Sequence, residues 1–171
     1  MIPHLFFLLV GLLMIGCLDP GAYDFTLHTI RVDGIEREYS LFVPEHDTTG
    51  EPRKIVFFFH GAANRYLNAI ELYEEADLRN YIVVGLQALQ QSADLMYYNL
   101  GVAKLPFRGW PVNARFDHAE HPTLRYFDAV LEEIEASHII DAQHIHLAGF
   151  SNGAARPTST LSEPKSAVPK S

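Results

Sequence analysis

Gly149-Phe150-Ser151-Asn152-Gly153, entered from Ile145-His146-Leu147-Ala148, limits the fold more than any other stretch of this chain. The pattern G-x-S-x-G after a strand marks a sharp turn into a helix, with the serine Oγ held out at the end of the strand. Gly149 and Gly153 carry no Cβ, so the two backbones can approach closely through that turn. A strand that passes directly into a helix belongs in a sheet with helices packed on its faces.

The chain has 171 residues, a length typical of one domain. Apolar residues make up 48% and charged residues 20%, which excludes a disordered or fibrous chain. Its formal net charge of −8 argues against nucleic acid and anionic membrane surfaces as partners, because both call for clustered Lys and Arg. No internal repeat and no run of like charge occurs.

Leu5 to Leu18 is almost wholly apolar. It is too short to cross a bilayer and matches the core of a secretory signal. Its start is atypical, since Met1-Ile2-Pro3-His4 holds no Lys or Arg. Cys17, the only cysteine, follows that core in Leu13-Met14-Ile15-Gly16-Cys17. This resembles a bacterial lipobox, in which the cysteine becomes the lipidated first residue, although Met14 stands where that pattern favours leucine. An exported chain is expected, in the periplasm, anchored to the outer membrane or released. Anchoring through a lipidated Cys17 and simple cleavage both stay open.

Phe25 to Val32 and Arg37 to Val43 alternate as strands, and Asp33-Gly34 between them is a hairpin signal. Ile55-Val56-Phe57-Phe58-Phe59 is a continuous apolar run, as in a central strand covered on both faces. Asn64 to Asn80 predicts a helix with Leu67, Ile70, Leu72, Tyr73 and Ala76 inward. Tyr81 to Leu86 is the next buried strand. Gln87 to His121 has no clear period and holds Tyr97, Tyr98, Phe107, Trp110 and Phe116. These aromatics could wall a binding cleft or fold down as a lid over the core. Pro122 to Ser137 is the clearest helix, with Leu124, Phe127, Val130, Leu131 and Ile134 in one stripe and Asp117 as a candidate cap. A strand from His144 to Phe150 follows. After Ala155 the chain turns to Pro, Ser and Thr and reads as disordered. The expected organisation is a signal over 1–17, a domain over 23–155 and a tail over 156–171.

Ser151 is the candidate nucleophile. Attack by a serine on an ester puts negative charge on the carbonyl oxygen, and two backbone N–H groups must already face it. Asn152, directly after the serine, supplies one of them. The loop His60-Gly61-Ala62-Ala63 supplies the other, from Ala62 or alternatively Ala63. His60 belongs to that oxyanion side and reads as structural. Trp110, Tyr97 and Tyr98 are candidate substrate contacts. The pairs His118 with His121 and His144 with His146 lack a third ligand at a convincing spacing, so no metal site is expected.

The stretch from His28 to Ala155, through His60-Gly61-Ala62 and Asp141 to Ala155 with Gly-Phe-Ser-Asn-Gly, resembles the secreted esterases grouped as polyhydroxybutyrate depolymerases and feruloyl esterases. The resemblance implies an α/β-hydrolase fold, of which this chain holds the N-terminal portion of a mostly parallel sheet opened by an antiparallel hairpin, incomplete at the C-terminus. It also implies a serine ester hydrolase without a cofactor, acting on polymeric or plant-derived esters. Relatives continue beyond the serine to an aspartate and then a histidine. No histidine follows Ser151 here. The chain as written is therefore expected to be inactive and poorly soluble. Two other readings stand beside this one, an exported binding protein that uses the aromatic loop and a product without function.

Overall fold

The computed structural model describes residues 23–45, 50–91, 107–110 and 121–154. The proposed signal and Cys17, the aromatics Tyr97, Tyr98 and Phe116, the candidate cap Asp117, His118 and the tail over 156–171 lie outside them.

Alternation in the first residues gives two strands, β1 (Phe25–Val32) and β2 (Ile35–Phe42), paired antiparallel. Asp33 and Gly34 join them with φ of 54° and 79°. Two positive φ values in a two-residue loop match the right-handed twist of the flanking strands. β3 (Arg53–Phe59) leads through a 3-10 helix (Tyr66–Leu72) and α1 (Tyr73–Arg79) to β4 (Tyr81–Leu86). Two short strands, β5 (Gln90–Gln91) and β6 (Phe107–Arg108), pair with each other. Then α2 (Pro122–Glu135) leads to β7 (Ile140–Gly149).

The main sheet has the order β1-β2-β4-β3-β7, with β3 parallel to both β4 and β7. β2 joins β4 antiparallel. From β3 the chain crosses to β4 on one side and later to β7 on the other. Strand order reverses at β3, and in open α/β sheets a ligand crevice lies outside the carboxyl end of such a strand. Register brings three carboxyl ends level there, since Phe59 pairs with Leu86 on one side and with Gly149 on the other.

Each crossover covers one face. Tyr126, Phe127, Val130 and Ile134 of α2 pack on Ile55, Phe57, Phe59, Ile82, Val84 and Leu86. Ala69, Ile70, Tyr73 and Ala76 pack on Phe42, Phe58 and Val83 across the sheet. The expectation that β3 is apolar because it is covered twice holds.

Three local expectations need correction. Asn64 to Asn80 is not one α-helix, because its first half winds as a 3-10 helix against β4. A Cβ on Gly85 would meet the Tyr66 carbonyl oxygen at 2.6 Å and the Ala69 Cβ at 2.9 Å, so the helix backbone lies directly on that glycine. The tighter winding carries Ala69 inward and leaves Leu67 38% exposed rather than buried. Next, α2 is capped by His121, whose Nδ1 accepts from the Thr123 N–H at 3.2 Å. Last, β7 starts at Ile140, before the expected His144. Ile140 pairs with Arg53 and Ile145 with Ile55, so Asp141 to His144 form a bulge within the strand. The turn character read at Asp141-Ala142-Gln143 is that bulge, where Asp141 Oδ1 accepts from the Gln143 N–H at 2.9 Å.

Candidate functional site

β7 passes into a tight turn over 151–154, where the described residues end. β7 ends at Gly149, and Ser151 stands exposed with a φ of 51°. A positive φ costs a residue with a Cβ of order 1 kcal/mol or more and persists only where neighbours enforce it. Here they do. The Phe150 N–H donates to the Phe59 carbonyl at 3.1 Å, and the Gly153 N–H returns to the Phe150 carbonyl at 2.9 Å. A Cβ on Gly149 would lie 2.8 Å from the Gly153 carbonyl, so both glycines are sterically required.

The His60-Gly61 loop meets this turn. A Cβ on Gly61 would lie 3.1 Å from Phe150 Cδ1 and 3.5 Å from Ser151 Cβ. The loop turns at once, with Ala63 at φ 62° and the Asn64 N–H donating to the Gly61 carbonyl at 3.2 Å. The Ala63 N–H donates to the Arg108 carbonyl at 2.7 Å, which removes it from the two oxyanion alternatives. With Ala63 engaged, Ala62 remains of the two loop candidates, and its N–H makes no backbone hydrogen bond among the described residues.

Asn152 is fixed by a double clasp. Its Oδ1 accepts from the Trp110 N–H at 2.7 Å, and its Nδ2 donates to the Trp110 carbonyl at 3.2 Å. That clasp orients the residue whose own N–H is the second oxyanion candidate. Trp110 is 2% exposed, with its indole N–H donated to the His60 carbonyl at 2.9 Å and its ring edge-on to Phe59 at 5.0 Å. The expectation that Trp110 touches substrate does not fit this burial. Its side chain packs on Phe59 and the His60 backbone instead. Tyr97 and Tyr98, the other two candidate contacts, lie outside the described residues.

His60 is fully buried and both ring nitrogens are engaged. The Ala88 N–H donates to Nε2 at 3.1 Å, so Nε2 is the acceptor and Nδ1 carries the proton to the Gly61 carbonyl at 2.7 Å. Gln87 Nε2 also approaches Nε2 at 2.9 Å, while Gln87 Oε1 accepts from the Tyr66 N–H at 3.2 Å. His60 thus has no free nitrogen for a serine proton and is structural, as its place on the oxyanion side predicts. Single-sequence reading gave no signal for Gln87 or for the Asn152 side chain, since their partners are set only by the fold.

Burial lowers the His60 pKa below its ordinary 6.5, and the Arg108 charge adds to this against the opposing pull of the Gly61 carbonyl. The folded chain therefore holds His60 neutral. As pH falls through about 6.5 the unfolded chain takes up a proton there that the folded chain resists. The contribution of His60 is complete above that pH. It is lost below it, by at most about 1.4 kcal/mol per pH unit, until the lowered folded value is passed. Urea unfolding at pH 7.5 and pH 5.5 measures this decline, and His60→Gln should shrink it. A decline of the same size in the variant would remove His60 as its cause.

On β7, His144 Nδ1 pairs with Asp141 Oδ2 at 2.5 Å, beside His146 at 6.1 Å between ring centroids. Hydrogen bonds from the Gln143 N–H and from His144 hold the Asp141 carboxyl below its ordinary pKa. Among the described residues no group of three metal-ligating side chains forms.

No family model matches the chain, and no curated protein matches it. Solved structures do. The chain is similar to a thermostable esterase (TM-score 0.54, 22% identity, over 77% of this chain and 36% of that one). It is similar to an S-formylglutathione hydrolase from Agrobacterium tumefaciens (TM-score 0.54, 14% identity, over 75% and 49%). A ferulic acid esterase superposes with a TM-score of 0.53 at 16% identity, over 76% of this chain and 50% of that one. The chain thus spans half or less of the length of these neighbours. The chain carries the N-terminal part of an α/β-hydrolase fold.

Proposed function

We propose that this chain is the nucleophile-bearing part of a serine ester hydrolase. The observation that carries the reading is Ser151, held exposed at φ 51° against the Gly61 loop. In this reading Ser151 Oγ attacks the ester carbonyl carbon, and the N–H groups of Asn152 and Ala62 receive the negative charge on its oxygen. Collapse of that intermediate releases the alcohol and leaves an acyl-serine, which water then cleaves. The Oγ proton must pass to a base. His60, with both ring nitrogens engaged, cannot take it. The chemistry calls for no cofactor. Feruloyl and polyhydroxybutyrate-type esters are the substrate classes we favour, with export and lipidation or cleavage near Cys17 as part of the same proposal.

Loss of a triad member still leaves about 10³- to 10⁴-fold catalysis over water from the oxyanion hole and binding. A fluorophosphonate probe should therefore label Ser151 of the folded chain at least about 100-fold faster than the same serine in urea. Peptide mass spectrometry locates the adduct. Equal rates in the folded and unfolded chain, or equal labelling of Ser151→Ala, would overturn the reading.

A further inference from the structure

Gln87 follows β4 directly and is 4% exposed, a carboxamide enclosed at the carboxyl end of the sheet. Its main chain is held on both sides. The Gln87 N–H donates to the Glu38 carbonyl at 3.1 Å, and the Gln87 carbonyl accepts from Arg37 Nη2 at 3.2 Å. A carboxamide accepts at one end and donates at the other, so its direction decides what its neighbours must be. Oε1 faces the Tyr66 N–H at 3.2 Å, and a main-chain N–H can only donate. Nε2 faces the Ala88 carbonyl at 3.4 Å, which can only accept. Both contacts fix the same direction. The donor end therefore meets His60 Nε2 at 2.9 Å.

Two donors, Gln87 Nε2 and the Ala88 N–H, thus converge on one ring nitrogen of a fully buried histidine. The proton of the neutral ring sits on Nδ1 and is given to the Gly61 carbonyl at 2.7 Å. That carbonyl is one end of a peptide plane whose other end is the Ala62 N–H. In a trans peptide the two point in opposite directions, and no cis peptide occurs among the described residues. A ring that draws the Gly61 carbonyl inward turns the Ala62 N–H away from the core.

We infer that Gln87 is a positioning residue for the oxyanion loop: by donating to His60 Nε2 it holds the ring in the one tautomer that anchors the Gly61–Ala62 peptide. Being buried, Gln87 acts only through His60. Its effect on ester chemistry rests on the esterase reading, whereas its hold on the ring does not.

Ring-nitrogen NMR spectra of His60 in the isotope-labelled 171-residue chain test that hold. They should show Nδ1 protonated and Nε2 bare at neutral pH. Gln87→Glu keeps the shape and the bond from Tyr66 but puts a carboxylate oxygen where the donor was. His60 should then take a second proton on Nε2 and read as imidazolium at neutral pH, because the adjacent negative charge favours that form. Gln87→Met has similar length and no group to donate. It should slow fluorophosphonate labelling of Ser151 in the folded fraction about tenfold, as for one lost hydrogen bond. A protonated Nε2 in the unaltered chain, or a His60 ring that stays neutral in Gln87→Glu, would overturn the hold on the tautomer. Gln87→Met labelling at the unaltered rate would overturn the positioning role. Labelling of the unaltered chain no faster than in urea would remove the esterase reading and the positioning role with it, while the ring spectra still decide the tautomer.

Discussion

Gly153→Ala is expected to cost about 4 kcal/mol or more, a large share of the stability of an ordinary domain. The added Cβ would sit 2.0 Å from the Phe59 carbonyl oxygen, 2.6 Å from its carbon and 2.7 Å from the His60 carbonyl oxygen. Overpacking against side chains commonly costs about 1–3 kcal/mol, because rotamers can give way. Here the obstacle is backbone, at the end of a strand hydrogen-bonded on both sides by β4 and β7. Relief would require the turn to leave β3, which breaks the Phe150 to Phe59 hydrogen bond and frees Ser151 from its positive φ. Stability and site geometry are therefore lost together. Urea unfolding followed by tryptophan fluorescence tests this, since Trp110 reports on the same contact region. A cooperative transition within about 1 kcal/mol of the unaltered chain would show that the turn does not lie against β3 as described.

Much of this arrangement could be read from residue order alone, for reasons that lie in the residues. Ile55 to Phe59 announces a strand covered twice because no position in it can face water. Asp33-Gly34 announces a tight hairpin because both residues tolerate positive φ. Ser151 between two glycines announces its own strained turn. What escaped was set by contacts between distant segments. The 3-10 winding of Tyr66–Leu72 follows from the absent Cβ of Gly85 on another element, and an α-helical period applied there misplaces Leu67. The His121 cap was hidden because histidine is an uncommon cap and Asp117 a common type. The choice between Ala62 and Ala63 turned on the Arg108 carbonyl, which no spacing in the loop reveals.

Trp110→Ala should destabilise the chain by about 3–5 kcal/mol, the range for truncating a buried aromatic residue. An aromatic in a long irregular segment reads equally as cleft wall or core, and only its partners decide. Those partners are His60 and Asn152, 50 and 42 residues away in sequence. The ring fills space against Phe59 and His60, and the indole N–H satisfies the buried His60 carbonyl. Trp110→Phe keeps most of the volume and loses only that hydrogen bond, so it should cost about 1–2 kcal/mol. The backbone of Trp110 clasps Asn152, and a collapse around the missing ring should loosen the N–H that faces the oxyanion. Ser151 labelling in the folded fraction of Trp110→Ala should therefore slow, while Trp110→Phe labels nearly as the unaltered chain does. A residue that contacted substrate would give the opposite split, with little loss of stability in either variant. Thermal unfolding of the two variants, with their labelling rates beside it, decides between a brace under the oxyanion loop and a wall of the cleft.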